Sequence, residues 1–138
     1  MKDKEWKVKK KQVKDIFDKW SRRMGLGWYK IEIEWKAGDP PDKGEGNVVV
    51  ADISTQWMYR TANMRVWLEC LPEEEHEIER IIVHELSHIF VNPLRSQENE
   101  HYNYDLEEYC VESLTQAFMW TYQDGIKDGG KLAKKQKV

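Results

Sequence analysis

Two histidines and a glutamate near the middle of the chain have the types and spacing of a metal-binding helix. His84 and His88 are four residues apart, and Glu85 directly follows the first histidine. Side chains at positions i and i+4 of an α-helix share a face, so both imidazoles can reach one metal ion while Glu85 stands beside its bound water. A lone histidine is usually an ordinary surface residue, but this pattern within an apolar stretch predicts a metal centre.

The motif supplies only part of the coordination that a catalytic zinc ion needs. Such an ion has three protein ligands and keeps its fourth position for water. In the metzincin pattern a glycine and a third histidine continue the motif, but this chain has Val91 and Leu94 at those two positions. The third ligand must therefore come from another pattern.

A pair of glutamates further along the chain has the spacing of such a pattern. Nineteen residues separate His88 from Glu108, and Glu112 follows four positions later. The chain thus resembles the gluzincin zinc peptidases, whose HExxH motif is followed by about nineteen residues and then Glu-x-x-x-Asp, although a glutamate here replaces that aspartate. The resemblance implies that Glu108 is the third ligand and that Glu112 accepts a hydrogen bond from one histidine. A shared helical face and the usual carboxylate partner of a ligand histidine agree with this.

Other roles remain open for the residues around Glu108. Asp105 followed by Glu108 also fits a reciprocal capping box at the start of a helix. Asp105 and Glu107 are alternative ligands if the helix is turned differently. The preceding polar segment offers further candidates at lower rank, which are Glu98, Glu100 and His101.

The resemblance also implies a reaction, the hydrolysis of a peptide bond by a metal-activated water. Glu85 would accept the proton of that water and pass it to the leaving amine. The oxyanion that develops needs a donor besides the metal. His101, Tyr102 and Tyr104 are candidates because they lie in the segment that leads to the ligand helix.

Enzymes of this kind bind an extended peptide along an exposed strand edge that precedes the active-site helix. Residues 64–68, or the segment 59–63 that leads into them, would provide this edge. The alternative is an ordinary edge strand that Arg60 and Arg65 protect from aggregation.

Hydrophobic periodicity predicts the elements that hold these residues. The apolar spacing predicts, in chain order, a helix over 9–24, strands over 28–35, 48–53 and 64–68, the HExxH helix opened by Pro72, and a helix over 106–123 that ends near Gly125. The last helix has a predicted core stripe formed by Leu106, Cys110, Leu114, Ala117 and Phe118. This order predicts an α+β, zincin-like fold with a small three-stranded sheet and room for a further short strand.

Length and charge narrow the class of protein. The chain has 138 residues, enough for one domain, and its formal net charge of −3 disfavours nucleic-acid binding. Its basic ends, about 1–7 and 129–138, are expected to be flexible. We find no membrane-spanning run and expect a cytoplasmic protein, in which Cys70 and Cys110 are unpaired, small buried residues.

These observations favour a zinc-dependent peptidase with one zinc ion per chain, a peptide or protein substrate and narrow, regulatory specificity. The short chain looks like the minimal gluzincins, which include small phage-type metallopeptidases and ImmA/IrrE-type regulators. The alternative is a weakly active or inactive zinc-stabilised module that binds a protein or nucleic-acid partner. The intact Glu85 favours the enzyme, since a structural site needs no general base. The sequence leaves the oligomeric state open.

Overall fold

A computed structural model describes the backbone of residues 2–40, 49–95 and 102–136, and their side chains except at 124 and 126–136. The elements, in chain order, are α1 (Asp3–Arg23), β1 (Lys30–Lys36), β2 (Ala51–Gln56), β3 (Thr61–Trp67), α2 (Glu75–Val91) and α3 (Tyr104–Gln136). Short 3₁₀ turns follow β2, β3 and α2. The predicted α+β layout, with a helix, three strands and two further helices, is confirmed.

The sheet has the strand order β1-β3-β2. β3 pairs in parallel with β1. It pairs antiparallel with β2, because the turn at Trp57–Tyr59 and the left-handed Arg60 (φ 56°) reverse the chain after β2. The predicted substrate edge at 64–68 or 59–63 is therefore wrong, since both sides of β3 are already paired. Within the described residues, the free edges of the sheet belong to β1 and β2.

The helix that carries both histidines lies at the centre of the structure. α2 packs against α1, α3 and β2. Its apolar residues Ile78, Ile82, Val83 and Leu86 are completely buried, as expected for a helix that is apolar around much of its circumference. The surrounding contacts fix the position and rotation of α2, and with them the direction in which its histidines point.

The first helix closes the other side of the core. Val13, Ile16, Phe17 and Trp20 are buried, as the periodicity predicts. The helix begins at Asp3, six residues before the predicted start, so much of the basic N-terminal segment is helical. Gly25 ends it with φ 72°, a conformation that suits glycine because it has no Cβ.

The rotation of α3 differs from the predicted one. The buried residues are Glu107, Val111, Thr115 and Met119, whereas Leu106 is 57% exposed. The buried stripe is thus one position away from the predicted stripe. Two polar residues can occupy it because their polar atoms are bonded: Arg95 and Tyr102 contact the carboxylate of Glu107, and the hydroxyl of Thr115 donates to the carbonyl of Val111 at 2.8 Å.

Both ends of α3 also differ from the prediction. Asn103 caps the helix by accepting a hydrogen bond from the amide of Leu106 at 3.0 Å, so the alternative reading of Asp105 as the start of a capping box is wrong. The helix continues past Gly125 to Gln136, since a glycine inside a helix costs only about 1 kcal/mol and need not end it. The C-terminal basic segment up to 136 is therefore helical, and its flexibility stays a prediction.

The cysteines are only partly as expected. Cys70 and Cys110 are both free, but Cys110 is exposed and Cys70 is half-buried, so neither is the small core residue that the sequence predicted. The rotation of α3 accounts for Cys110, which lies outside the buried stripe. Among the described residues, no helix combines the length and the apolar character that crossing a bilayer requires.

Candidate metal centre

Three side chains from two adjacent helices converge on one point. His84 and His88 lie one turn apart on α2, with their ring centroids 5.2 Å apart. α3 packs beside α2 and brings Glu108 between them. Its Oε2 lies 3.3 Å from Nε2 of His84, and its Oε1 lies 3.1 Å from Nε2 of His88.

Each of these distances is close to the separation of two ligand atoms on one zinc ion, although they end on different oxygens of Glu108. Zinc binds imidazole nitrogen and carboxylate oxygen at about 2.0–2.2 Å, and tetrahedral angles then separate two such ligand atoms by roughly 3.3 Å. One ligand atom from each of the three residues lies within 4.8 Å of the others. Two imidazole nitrogens and one carboxylate also form a donor set that leaves a fourth position for water. The residues present therefore fit zinc.

The other ring nitrogen of His84 faces Glu112. Oε1 of Glu112 lies 2.6 Å from Nδ1 of His84, without an intervening water. Glu112 is thus where the resemblance expects a supporting carboxylate, and its longer side chain reaches the ring directly. Arg80, one turn before His84 on α2, donates to Oε2 of Glu112 at 3.0 Å and to Oε1 of Gln116 at 2.8 Å.

A second carboxylate faces His88 from the buried side. Oε2 of Glu107 lies 3.5 Å from Nδ1 of His88. Nε of Arg95 and the hydroxyl of Tyr102 donate to Oε1 of Glu107 at 2.9 Å and 2.8 Å, and a terminal nitrogen of Arg95 contacts Oε2. Sequence reasoning had considered Glu107 only as an alternative ligand. The available signal was its position beside Glu108, which places it one step around the helix, toward the core.

The charges around Glu107 act on several pKa values. Burial would raise the pKa of Glu107, but the hydrogen bonds from Arg95 and Tyr102, with the charge of Arg95, outweigh it and lower that pKa. The hydrogen bond with Glu107 raises the pKa of Arg95. Burial lowers the pKa of His88, more than the nearby Glu108 raises it. The structure thus favours a charged Glu107 beside a neutral His88, the form in which an imidazole binds metal.

No protein-family model, curated protein or solved structure matches this chain. The proposal of a metal centre therefore rests on the geometry of the site residues.

The other site residues predicted from the sequence lie in different places relative to His84, His88 and Glu108. Glu85 is half-buried on α2, directly after His84. The hydroxyl of Tyr102 is bonded to Glu107, whereas Tyr104 is 61% exposed and its ring lies 5.0 Å from that of Tyr102. Asp105 is exposed and does not belong to the group of convergent ligands. The loop candidates lie outside the described residues; these are Glu98, Glu100 and His101.

A groove lies at the C-terminal end of α2. The amide nitrogen of Asn92, just after α2, contacts the hydroxyl of Thr55 on β2. A cavity of about 470 Å³ lies between this end of α2 and the strand. Its walls include Ile53, Trp57, Met58, Tyr59 and Arg95. The cavity therefore combines apolar side chains with an arginine that already contacts Glu107.

Proposed function

We propose that this protein is a zinc-dependent peptidase that hydrolyses peptide bonds in a protein or peptide substrate. The observation that carries the proposal is the convergence of His84, His88 and Glu108, with Glu85 as the next residue on the same helix. Three ligands and an adjacent carboxylate that is not one of them are typical of catalytic zinc sites, whereas structural sites fill the fourth position with another protein ligand.

Each residue then has a distinct task. Zinc bound by the three ligands would supply a Lewis acid that activates water and polarises a carbonyl. The carboxylate of Glu85 accepts the proton of the attacking water and delivers it to the leaving amine nitrogen. Glu112 accepts a hydrogen bond from Nδ1 of His84, which leaves Nε2 free to bind the metal. Glu108 is 52% exposed at its side chain, so a substrate can approach from its side.

The substrate would bind along β2, because β3 has no free edge. β2 is the edge strand against which α2 packs, and an extended peptide can pair with such an edge through its backbone. The cavity at its end would accept a bulky apolar side chain between Trp57, Met58 and Ile53. We therefore expect cleavage of extended segments that carry a large apolar residue near the cleaved bond.

Metal analysis tests the ligands. Purified wild-type protein should contain near one zinc per chain, and Glu108→Ala should lose most of it. Asp105→Ala is the matched control, because this exposed acid lies on the same helix and outside the convergent group. Loss of zinc in the Asp105 variant but not in the Glu108 variant would show that the ligand is misassigned.

Cleavage of a peptide library tests the reaction. Wild-type protein should cleave a subset of peptides, and Glu85→Gln should reduce the rate by at least about 100-fold while it retains zinc. Activity that persists in Glu85→Gln would contradict the proposed mechanism. A protein that binds zinc but cleaves nothing would instead favour the binding-module alternative.

A further inference from the structure

Arg95 contacts the carboxylate of Glu107, which in turn faces His88. Arg95 approaches both oxygens of Glu107, whose side chain is only 1% exposed. A buried carboxylate without partners is strongly unfavourable, so Arg95 and Tyr102 together make this position tenable for a charged group. The same carboxylate faces Nδ1 of His88.

This arrangement constrains the imidazole. A neutral histidine carries its proton on one ring nitrogen, and the partner of that nitrogen decides which one binds a metal. A carboxylate held near Nδ1 favours the proton there and leaves Nε2 for the ion. A planar guanidinium that grips both oxygens fixes the carboxylate more firmly than a single hydrogen bond would.

We propose that Arg95 is a positioning residue of the metal centre, which holds Glu107 against His88 and thereby selects Nε2 of His88 as the metal-binding nitrogen. The inference rests on the proposed metal centre but not on peptide cleavage. Arg95 also lines the cavity beside β2, so the residue that supports the ligand also contacts the expected substrate groove.

Arg80 provides an internal comparison. It supports Glu112 in the way that Arg95 supports Glu107, and both arginine side chains are 41% exposed, but Glu112 is 51% exposed and Glu107 only 1%. Water can solvate Glu112 if Arg80 is removed, so its hydrogen bond to His84 survives. Glu107 is buried and would keep only the hydrogen bond from Tyr102, so we expect the loss of Arg95 to weaken metal binding more.

Zinc affinity, measured by competition with a chromogenic chelator, tests the inference. Arg95→Gln should weaken zinc binding by about 10-fold to 100-fold, the range found for residues that support metal ligands. Arg80→Gln should weaken it by less than about 5-fold, as expected for an exposed pair. Arg65→Gln is the matched control, since Arg65 forms a similar two-point pair with Asp52 on the sheet, apart from the convergent ligands.

Two further measurements separate positioning from a general structural role. In a double-mutant cycle, Arg95→Gln should add little to the loss caused by Glu107→Gln if the arginine acts through that carboxylate. In the zinc-loaded protein, the NMR signal of the His88 Nδ1 proton should shift in Arg95→Gln and stay unchanged in Arg65→Gln. Arg95→Lys, which keeps the charge and loses the fork, should give an intermediate affinity and serves as the variant if Arg95→Gln does not fold.

The outcomes are distinct. Equal zinc affinities of Arg95→Gln and Arg65→Gln, or fully additive losses in the cycle, would overturn the positioning role while leaving the zinc site intact. A wild-type protein that binds no zinc would overturn the metal centre itself. Zinc binding without cleavage would contradict only the proposed peptidase.

Discussion

The two proposed ligand histidines face one carboxylate through Nε2 but contact carboxylates of opposite exposure at Nδ1. His84 is bonded at 2.6 Å to Glu112, which is half exposed and shares Arg80 with Gln116. His88 faces the fully buried Glu107 at the longer distance of 3.5 Å. The fold therefore holds Glu107 in place beside His88. The contact between Glu112 and His84 is direct, but water can reach it.

In the proposed zinc centre, the two supports would have different effects. A buried support does not depend on solvent, so it can hold its ligand in place before the metal arrives. The solvated support, by contrast, leaves its own side of the proposed centre open to a substrate. The exposed Glu108 agrees with an approach from that side. Mutations of matched residues on the two sides can test this contrast.

The largest expected difference is in the stability of the metal-free protein. Glu107→Ala removes the acceptor of Arg95 and Tyr102 and opens space in the core. Because Arg95 is 41% exposed and water can solvate it in part, we expect a loss of about 2 kcal/mol. Glu112→Ala removes an exposed acid, and the loss should stay below about 1 kcal/mol. Urea unfolding in the presence of a chelator measures both values. Equal losses would mean that the two supports do not differ in the way their burial indicates.

A smaller effect is expected when the side chain of Glu112 is shortened. Glu112→Asp introduces the residue that gluzincins usually have, but shortens the side chain by one methylene group. At the helix separation seen here, the carboxylate would no longer reach Nδ1 of His84 directly, so zinc affinity should fall about 10-fold. Glu112→Gln keeps the length and an acceptor oxygen and should lose less. Chelator competition compares the two variants, and an Asp variant that binds as tightly as wild type would contradict the direct contact.

Much of the site was predictable because helical spacing converts sequence distance into a shared face. Glu108 was implied by the resemblance to the gluzincin pattern, whereas His84 and His88 needed only the four-residue rule. The alternation around Ile31 and Ile33 gave β1 for a similar reason, since side chains of a strand alternate between faces. These patterns are local, so the chain carries them without reference to the rest of the fold.

The predictions of strand order and helix rotation were wrong because contacts between distant parts of the chain determine both. No local pattern shows that β3 lies between the other two strands, because strand order depends on pairing between distant segments. The rotation of α3 was mispredicted because the most apolar stripe was taken as the buried one. Glu107 and Thr115 are buried instead, and their bonding partners become known only from the fold. The same contacts revealed the support of His88.

The smallest expected effect is the response of the two arginine pairs to salt. Ions at 1 M reduce the screening length to about 3 Å, compared with about 10 Å at 0.1 M, but act mainly on charges that water reaches. The exposed pair of Arg80 and Glu112 should therefore lose its contribution to stability, which is below about 1 kcal/mol at low salt. The pair of Arg95 and Glu107 should keep more of its contribution, because Glu107 is only 1% exposed although Arg95 is as exposed as Arg80. Urea unfolding of Arg80→Gln and Arg95→Gln at the two salt concentrations measures these contributions, each against wild type under the same conditions.

The loss of unfolding free energy caused by Arg80→Gln should shrink toward zero in high salt, while that caused by Arg95→Gln changes less. If both losses shrink alike, water reaches Glu107 as readily as Glu112, and the contrast between a buried and a solvated support does not hold.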